Sequence, residues 1–167
     1  MTILETQRLR IRPFTREDAA FMLALLNDPG WIANIGDRGV RTVDAARDYI
    51  QTRMIAMYQR VGYGMWVVEL KSTGEAIGTS GLVKRDSLEH TDIGFGFLEG
   101  HRGQGYALEA ARATLDYALH PLALGKIVAI VSQGNQPSIR LLEKIGLRRA
   151  GNITLPGDDE ALAYFET

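Results

Sequence analysis

Residues 101–112 read HRGQGYALEAAR: an arginine and two glycines open the segment, and an alanine-rich helical pattern follows. Directly upstream lies DIGFGFLE, an aromatic run with strand character. Glycines between a strand and a helix can simply turn the chain. They can also bare the N–H groups at the helix start, where unpaired donors and the macrodipole favour a phosphate. Glycine lets the main chain approach an anion without an intervening Cβ, and Arg102 would add a full charge at the rim of such a loop. The chemistry this arrangement suits is the gripping of a pyrophosphate.

Two familiar phosphate loops do not fit. No GxxxxGK is followed by Ser or Thr, and a dinucleotide fingerprint needs GxGxxG or GxGxxA. GFGFLEG carries its third glycine one place late, and GQGYAL ends in Leu108.

The elements that must position this loop follow from patterning. RLRIRPF (8–14) alternates charged and apolar residues and reads as a half-buried strand ended by Pro13. Thr15 with Asp18 resembles a capping box for a first helix carrying Phe21 and Leu25 inward. DPGWIANIGDRG (28–39) reads as a loop rich in breakers. Thr42 caps a second helix to about Arg60, with Ala46, Ile50, Arg53 and Met57 along one side. MWVVEL (65–70), AIGTSGLVKR (76–85) and TDIGFGFL (91–98) form an antiparallel meander. A helix from Gly103 to about Leu119 leads to KIVAIVS (126–132), a central strand parallel to the one at 91. Pro137 opens a helix that Gly146 stops, and strands near 147–151 and in EALAYFE complete the chain. The expected fold is α/β, a mixed and mostly antiparallel sheet with helices on both faces, in the order β-α-α-β-β-β-α-β-α-β-β. Residues 1–167 are read as a single domain.

Composition narrows the chemistry. Hydrophobic residues make up 46% and charged residues 23% of the 167, with a net charge of −1, so there is no general attraction to nucleic acid or anionic membrane. The absence of cysteine removes disulfides, thiolate metal sites and a cysteine acyl-enzyme. His90, His101 and His120 lack a metal-ligand spacing, so no metal is expected. No signal-peptide pattern or apolar run near the ~20 residues of a membrane span is present, and a cytoplasmic location is expected.

Arg102-Gly103-Gln104-Gly105-Tyr106-Ala107 does fit (Gln/Arg)-x-x-Gly-x-(Gly/Ala), and here the chain resembles the GNAT superfamily of acetyl-CoA-dependent N-acetyltransferases. Within it, LETQRLRIRPFTREDA, GYALEA and NQPSIRLLEKIGL are similar to the RimJ/RimL-like branch. The resemblance spans nearly the whole chain. It implies that the backbone amides from Arg102 to Ala107 hold the pyrophosphate of acetyl-CoA. Phe97 and Leu98 would pair their backbone with the pantetheine arm, where the family's parallel strands splay apart. Asn135 and Ser138 match positions that contact that arm or its sulfur. A protein N-terminal amine, an amino acid or a small amine would be the acceptor, and a homodimer is left open.

Acetyl transfer needs a neutral amine held against the thioester, donors for the developing oxyanion, and a proton for the thiolate. Without cysteine, direct attack in a ternary complex is the simplest route. A backbone N–H near Phe97 or Leu98 is the natural oxyanion donor. In DIGFGFL, alternation puts Asp92, Gly94, Gly96 and Leu98 on one face, so the two glycines would leave a cleft beside a carboxylate. Asp92 is therefore the candidate base, directly or through water, and reads equally as a salt-bridged strand-end residue. Glu109 reads as a brace for the loop. Many family members carry a tyrosine acid in a run such as R-L-Y-E-K, but this chain has Leu142 there, a core residue by spacing. Ser138 is the substitute donor, or else a helix-start residue satisfying backbone N–H groups. Trp31 and Tyr63 either line the acceptor site or belong to the core, and GDDE (157–160) either attracts a cationic amine or is a solvated loop. The rival reading is a non-catalytic acyl-CoA-binding or protein-interaction module that retains the fold.

Overall fold

The computed structural model describes residues 1–167. Leu4–Glu5 (β1) and Leu9–Pro13 (β2) form an antiparallel hairpin, and alternation along β2 buries Leu9 and Ile11. Thr15 and Asp18 close the expected capping box over a single 3-10 turn, Arg16–Asp18, which runs into α1 (Ala19–Leu26).

The next segment departs from expectation. Pro29–Asn34 is a short helix, α2, where breakers suggested a loop. The physical reason is local: the Asp28 carboxylate accepts from the Gly30 and Trp31 N–H groups, and Pro29 occupies the first turn, where its missing donor costs nothing.

Thr42 caps the following helix as expected. That helix is not uniform: α3 (Val43–Tyr49) widens into a π turn over Ile50–Ile55 and closes as α4 (Ala56–Val61). The wider turn divides the expected stripe. Ala46 and Ile50 are buried in the core, while Arg53 and Met57 face a cavity. Gly62, at φ 83°, ends the helix in the left-handed conformation that glycine adopts without strain.

Met65–Leu70 (β3), Ala76–Val83 (β4) and Thr91–Phe97 (β5) are the antiparallel meander. A 3-10 turn at Glu99–His101 leads through the glycine segment into α5 (Tyr106–Leu119). Then come β6 (Ile127–Ser132), α6 (Gln136–Lys144), β7 (Arg148–Ile153) and β8 (Leu162–Glu166). The strands form one sheet of order β1-β2-β3-β4-β5-β6-β8-β7. All neighbours are antiparallel except β5 and β6, joined through α5 as the crossover rule requires. The mixed sheet with helices on both faces is as expected; β1 and α2 are the additions.

Two apolar layers sandwich the sheet. Leu9, Trp66, Ile93 and Phe97 meet Ala110 and Leu115 of α5 and Leu142 of α6 on one face. On the other, Phe14 and Val67 meet Met22 and Leu26 of α1 and Ala46 of α3. A fully buried hydroxyl pair, Ser80 with Thr114 at 2.9 Å, ties β4 to α5. Tyr63 belongs to the core, bonded to the Thr91 hydroxyl at 2.7 Å.

The parallel pair is short. Residues are matched only at Thr91 with Ile127 and at Asp92 with Val128, and beyond that point the two strands part. A wedge opens in the sheet, and the glycine segment lies at its far end.

Candidate active site

Backbone conformation makes the loop. Gly103 (φ 77°) and Gly105 (φ 83°) both lie in the left-handed region, which bends the chain into α5. The N–H groups of Gly103, Gln104, Gly105, Tyr106, Ala107 and Leu108 meet no protein acceptor. The first helical N–H to find one is that of Glu109, bonded to Gly105 O at 3.1 Å. A run of free donors ending in a helix start is a cradle for a phosphate group.

The outside of the loop is braced by the β1–β2 hairpin. Glu109 accepts from the Arg8 main-chain N–H at 2.9 Å, from Arg8 Nε at 2.7 Å, and from the Thr6 hydroxyl. Arg8 also donates to Gln104 O at 3.0 Å and lies over the Tyr106 ring, 4.4 Å from its centroid. Burial pushes the Glu109 carboxyl up, and the Thr6 and Arg8 donors outweigh that and hold it below its usual range. Glu109 is a brace, as its position suggested.

Two expected contributors act differently. Arg102 does not place its charge at the rim: its guanidinium turns to the Asp28 carboxylate, and its own N–H closes the 3-10 turn on Glu99 O at 3.2 Å. The free donors therefore begin at Gly103. Leu98 is fully engaged within the fold, its N–H on Ile77 O and its C=O accepting from His101, both at 3.0 Å. Since strand groups alternate sides, the Leu98 bond to β4 turns the main chain of Phe95 and Phe97 toward the wedge. The edge open to an arm-like ligand is therefore Phe95–Phe97, without Leu98.

A continuous cavity of about 790 Å³ runs through the wedge. Asp92, Phe97, Arg102, Gly103 and Gly105 line it, as do Tyr106, Ala107, Asn135 and Ser138. Leu98 and Gln104 do not; Gln104 turns its side chain to Gly100 O at 3.4 Å and offers only its N–H. Asn135 caps α6 by accepting from the Ser138 N–H at 3.4 Å, and Ser138 itself is half-buried at the cavity wall. Leu142 is fully buried, a core residue as its spacing implied.

Asp92 sits at the apex, the last β5 residue matched to β6 before the strands part. It is 4% exposed; Oδ2 accepts from Arg85 Nε at 3.1 Å, and Oδ1 has no partner. Burial pushes this carboxyl up, with Arg85 and Lys84 pulling partly back. A buried carboxylate with a free oxygen and a raised affinity for a proton has the properties of a base.

The glycine face of β5 is not empty. A Cβ at Gly96 would stand 2.4 Å from the Trp31 ring, so α2 rests its indole where a side chain would otherwise be. Met65 sulfur fills the space beside Gly94, at 3.4 Å. α2 also reaches β6, where Ser132 donates to Asn34 O at 3.4 Å, so the helix lies across the wedge.

Asp28 is the residue that patterning missed. It accepts from the Gly30 and Trp31 N–H groups, from the Glu99 N–H at 3.1 Å, and from Arg102. It thereby joins α2 to the turn preceding the glycine loop. Burial raises this carboxyl, but Arg102 and the N–H donors prevail and hold it low. The signal available was Asp-Pro, a cap followed by a first-turn proline.

Comparison with known proteins agrees with this architecture. A family model described as an acetyltransferase (GNAT) domain matches residues 8–148. YkkB, an uncharacterised protein of Bacillus subtilis, is 36% identical over 157 residues, covering 91% of this chain and 88% of that protein. YoaA, an uncharacterised N-acetyltransferase of the same bacterium, is 31% identical over 150 residues, covering 89% and 84%. Among solved structures, an acetyltransferase from Agrobacterium tumefaciens superposes with a TM-score of 0.82 at 29% identity, over 98% of this chain and 92% of that one. RimL, a ribosomal-protein N-acetyltransferase solved with coenzyme A, shares the fold with a TM-score of 0.84 at 18% identity, over 100% and 97%. No helix is long and apolar enough to cross a membrane. With the matched region running from the first long strand to the start of β7, the chain belongs to the GNAT family of acetyltransferases.

Proposed function

We propose that this acetyltransferase moves the acetyl group of acetyl-CoA, the acyl donor of its family, directly to a primary amine within a ternary complex. When bound, the coenzyme supplies the acyl group as a thioester. The single observation that carries the reading is the run of partnerless N–H groups from Gly103 to Leu108. Those donors and the helix start would take the pyrophosphate, and the Phe95–Phe97 edge would take the pantetheine arm as an added strand.

Asp92, directly or through a water, accepts the proton that the ammonium form of the acceptor must lose. As the new N–C bond forms and the C–S bond breaks, the Phe97 N–H meets the charge that builds on the carbonyl oxygen. Ser138 stands where a hydroxyl can donate to the departing sulfur, the role that Leu142 cannot take. The acetylated amine, the free thiol and one proton account for all atoms. Kinship with the RimJ/RimL-like branch is supported by the three sequence motifs that carry the resemblance.

The test is thiol release from acetyl-CoA across a panel of primary amines, together with coenzyme A affinity by calorimetry. Turnover with at least one amine, and loss of binding on Gly105→Trp, are expected. Unchanged affinity in that variant would remove the loop from the coenzyme site.

A further inference from the structure

Resting on that reading of the site, we infer that the acceptor is an amine that also carries a carboxylate, and specifically a free α-amino acid with an apolar side chain. Four arginines, Arg38, Arg41, Arg47 and Arg53, lie on neighbouring segments. Arg41 pairs with Asp37 at 2.6 Å and Arg47 with Asp44 at 2.7 Å, and neither lines the cavity. Arg38 and Arg53 do line it, and no carboxylate of the chain neutralises either one. Arg85, the third arginine at this end, is engaged by Asp92 at 3.1 Å. The acceptor end thus holds an excess of positive charge with a single carboxylate, Asp92, at its apex.

A cationic polyamine would meet this charge as repulsion, whereas a carboxylate would meet guanidinium donors built for its geometry. GDDE (157–160), the acidic run that could draw a cationic amine, is exposed in the segment before β8 and contributes nothing to the cavity wall.

The rest of the wall selects for an apolar body. Met54, Met57 and Met65 line the cavity with Trp31 and Ile35, and flexible thioethers adapt to a range of apolar shapes. The π turn is what delivers Arg53 and Met54 to that wall, a placement in keeping with the frequent use of such turns at functional sites. Size points the same way. α2 crosses the wedge beyond its apex, with Trp31 seated on Gly96 and Asn34 bonded to Ser132, which narrows the way into the cavity and suits a small molecule better than a folded protein's terminus.

The experiment compares L-methionine and L-phenylalanine with L-methioninamide, L-phenylalaninamide and a short peptide bearing a free N-terminal amine, measuring thiol release by the full chain. Both amino acids should exceed their amides in kcat/KM by at least about tenfold, the scale of one charge-assisted contact. Arg38→Gln with Arg53→Gln should erase that preference, bringing acid and amide within about twofold through KM for the acid. Coenzyme A binding by the double variant serves as the control for folding, since both arginines are exposed. Equal or better turnover of the amides or the peptide overturns the carboxylate assignment and leaves the transferase reading standing. Failure of every amine to release thiol overturns both.

Discussion

At the loop end of the wedge the unpartnered groups are main-chain donors from one continuous stretch, residues 103–108, with side chains as scaffolding around them. At the end proposed to take the acceptor the lining groups are side chains, drawn from α2 and the segment after it, the π turn, α4, β3, β4 and β5. A site made of backbone depends on conformation, so it tolerates many side chains but few changes at Gly103 and Gly105. A site made of side chains on separate elements depends on packing, so single residues can retune it without disturbing the fold. The two ends share one fastening, Asp28, and one apex, Asp92.

The largest effect should come from breaking the backbone half. Gly105→Trp forces a side chain onto a residue at φ 83° and crowds Arg8 Nη2, which lies 3.3 Å from where the new Cβ would stand. Two charge-assisted bonds at about 2 kcal/mol each would be lost, on the order of a thousandfold in coenzyme A affinity by calorimetry.

Next in size is Asp92→Asn at the apex, with kcat for thiol release falling about a hundredfold while coenzyme A affinity holds. Stability should move the other way. Burial raises this carboxyl, so the native state is favoured with the proton on, and that contribution fades as pH rises through the folded value. Asparagine removes the buried charge, so melting at neutral pH should be unchanged or higher than in the parent. The gain should vanish in acid, below the carboxyl's unfolded value. A variant both slower and less stable at neutral pH would mark Asp92 as a structural ion-pair partner of Arg85.

What could be read from the chain before its structure follows the same division. The conformation of the glycine loop is legible because it depends on glycine positions and a following helix, all local in sequence. The face assignment of β5 was legible for the same reason, since alternation places Gly96 opposite Phe97, and the contacts with Trp31 and Met65 bear it out. The role of Arg102 was not: its partner Asp28 is 74 residues away, and no spacing rule links them. Leu98 lies off the open edge because the strand ends at Phe97 and its own main-chain groups meet Ile77 and His101, contacts that alternation alone does not signal. The π turn escaped because an inserted residue leaves apolar spacing almost intact while rotating the face that follows. Arg53, which spacing puts on a helix stripe, therefore faces the cavity.

Joining the two ends is Asp28, and its removal should show how far they depend on each other. Asp28→Ala takes away the cap of α2, the acceptor for the Glu99 N–H and the partner of Arg102. Loss of the cap alone is worth about 0.5–2 kcal/mol. Chemical denaturation should show a loss at the upper end of that range at neutral pH. Because Asp28 is held low in the folded chain, its contribution should be present above the carboxyl's unfolded value and lost as pH falls through the folded one. KM should rise by about threefold to tenfold for acetyl-CoA and for the amine alike, because both Trp31 and the turn before Gly103 lose their anchor. A rise confined to one substrate would show that the halves are independent.

The smallest effect distinguishes a chemical from a conformational role at α6. Ser138 has its N–H held by Asn135, and that bond survives truncation of the side chain, so Ser138→Ala should leave the helix and its stability unaltered. Ser138 lines the cavity one turn before the buried Leu142 on the same face of α6, so it offers a hydroxyl near the position where Leu142 has none. A contact of that kind, replaceable by water, is worth about 1 kcal/mol, or roughly a fivefold fall in kcat with little change in KM. The effect should deepen with a poorer leaving thiol and shrink with a better one, because only a group that meets the sulfur as the C–S bond breaks can sense that difference. A uniform decrease across leaving groups would return Ser138 to the helix start, and protonation of the thiolate would then fall to solvent.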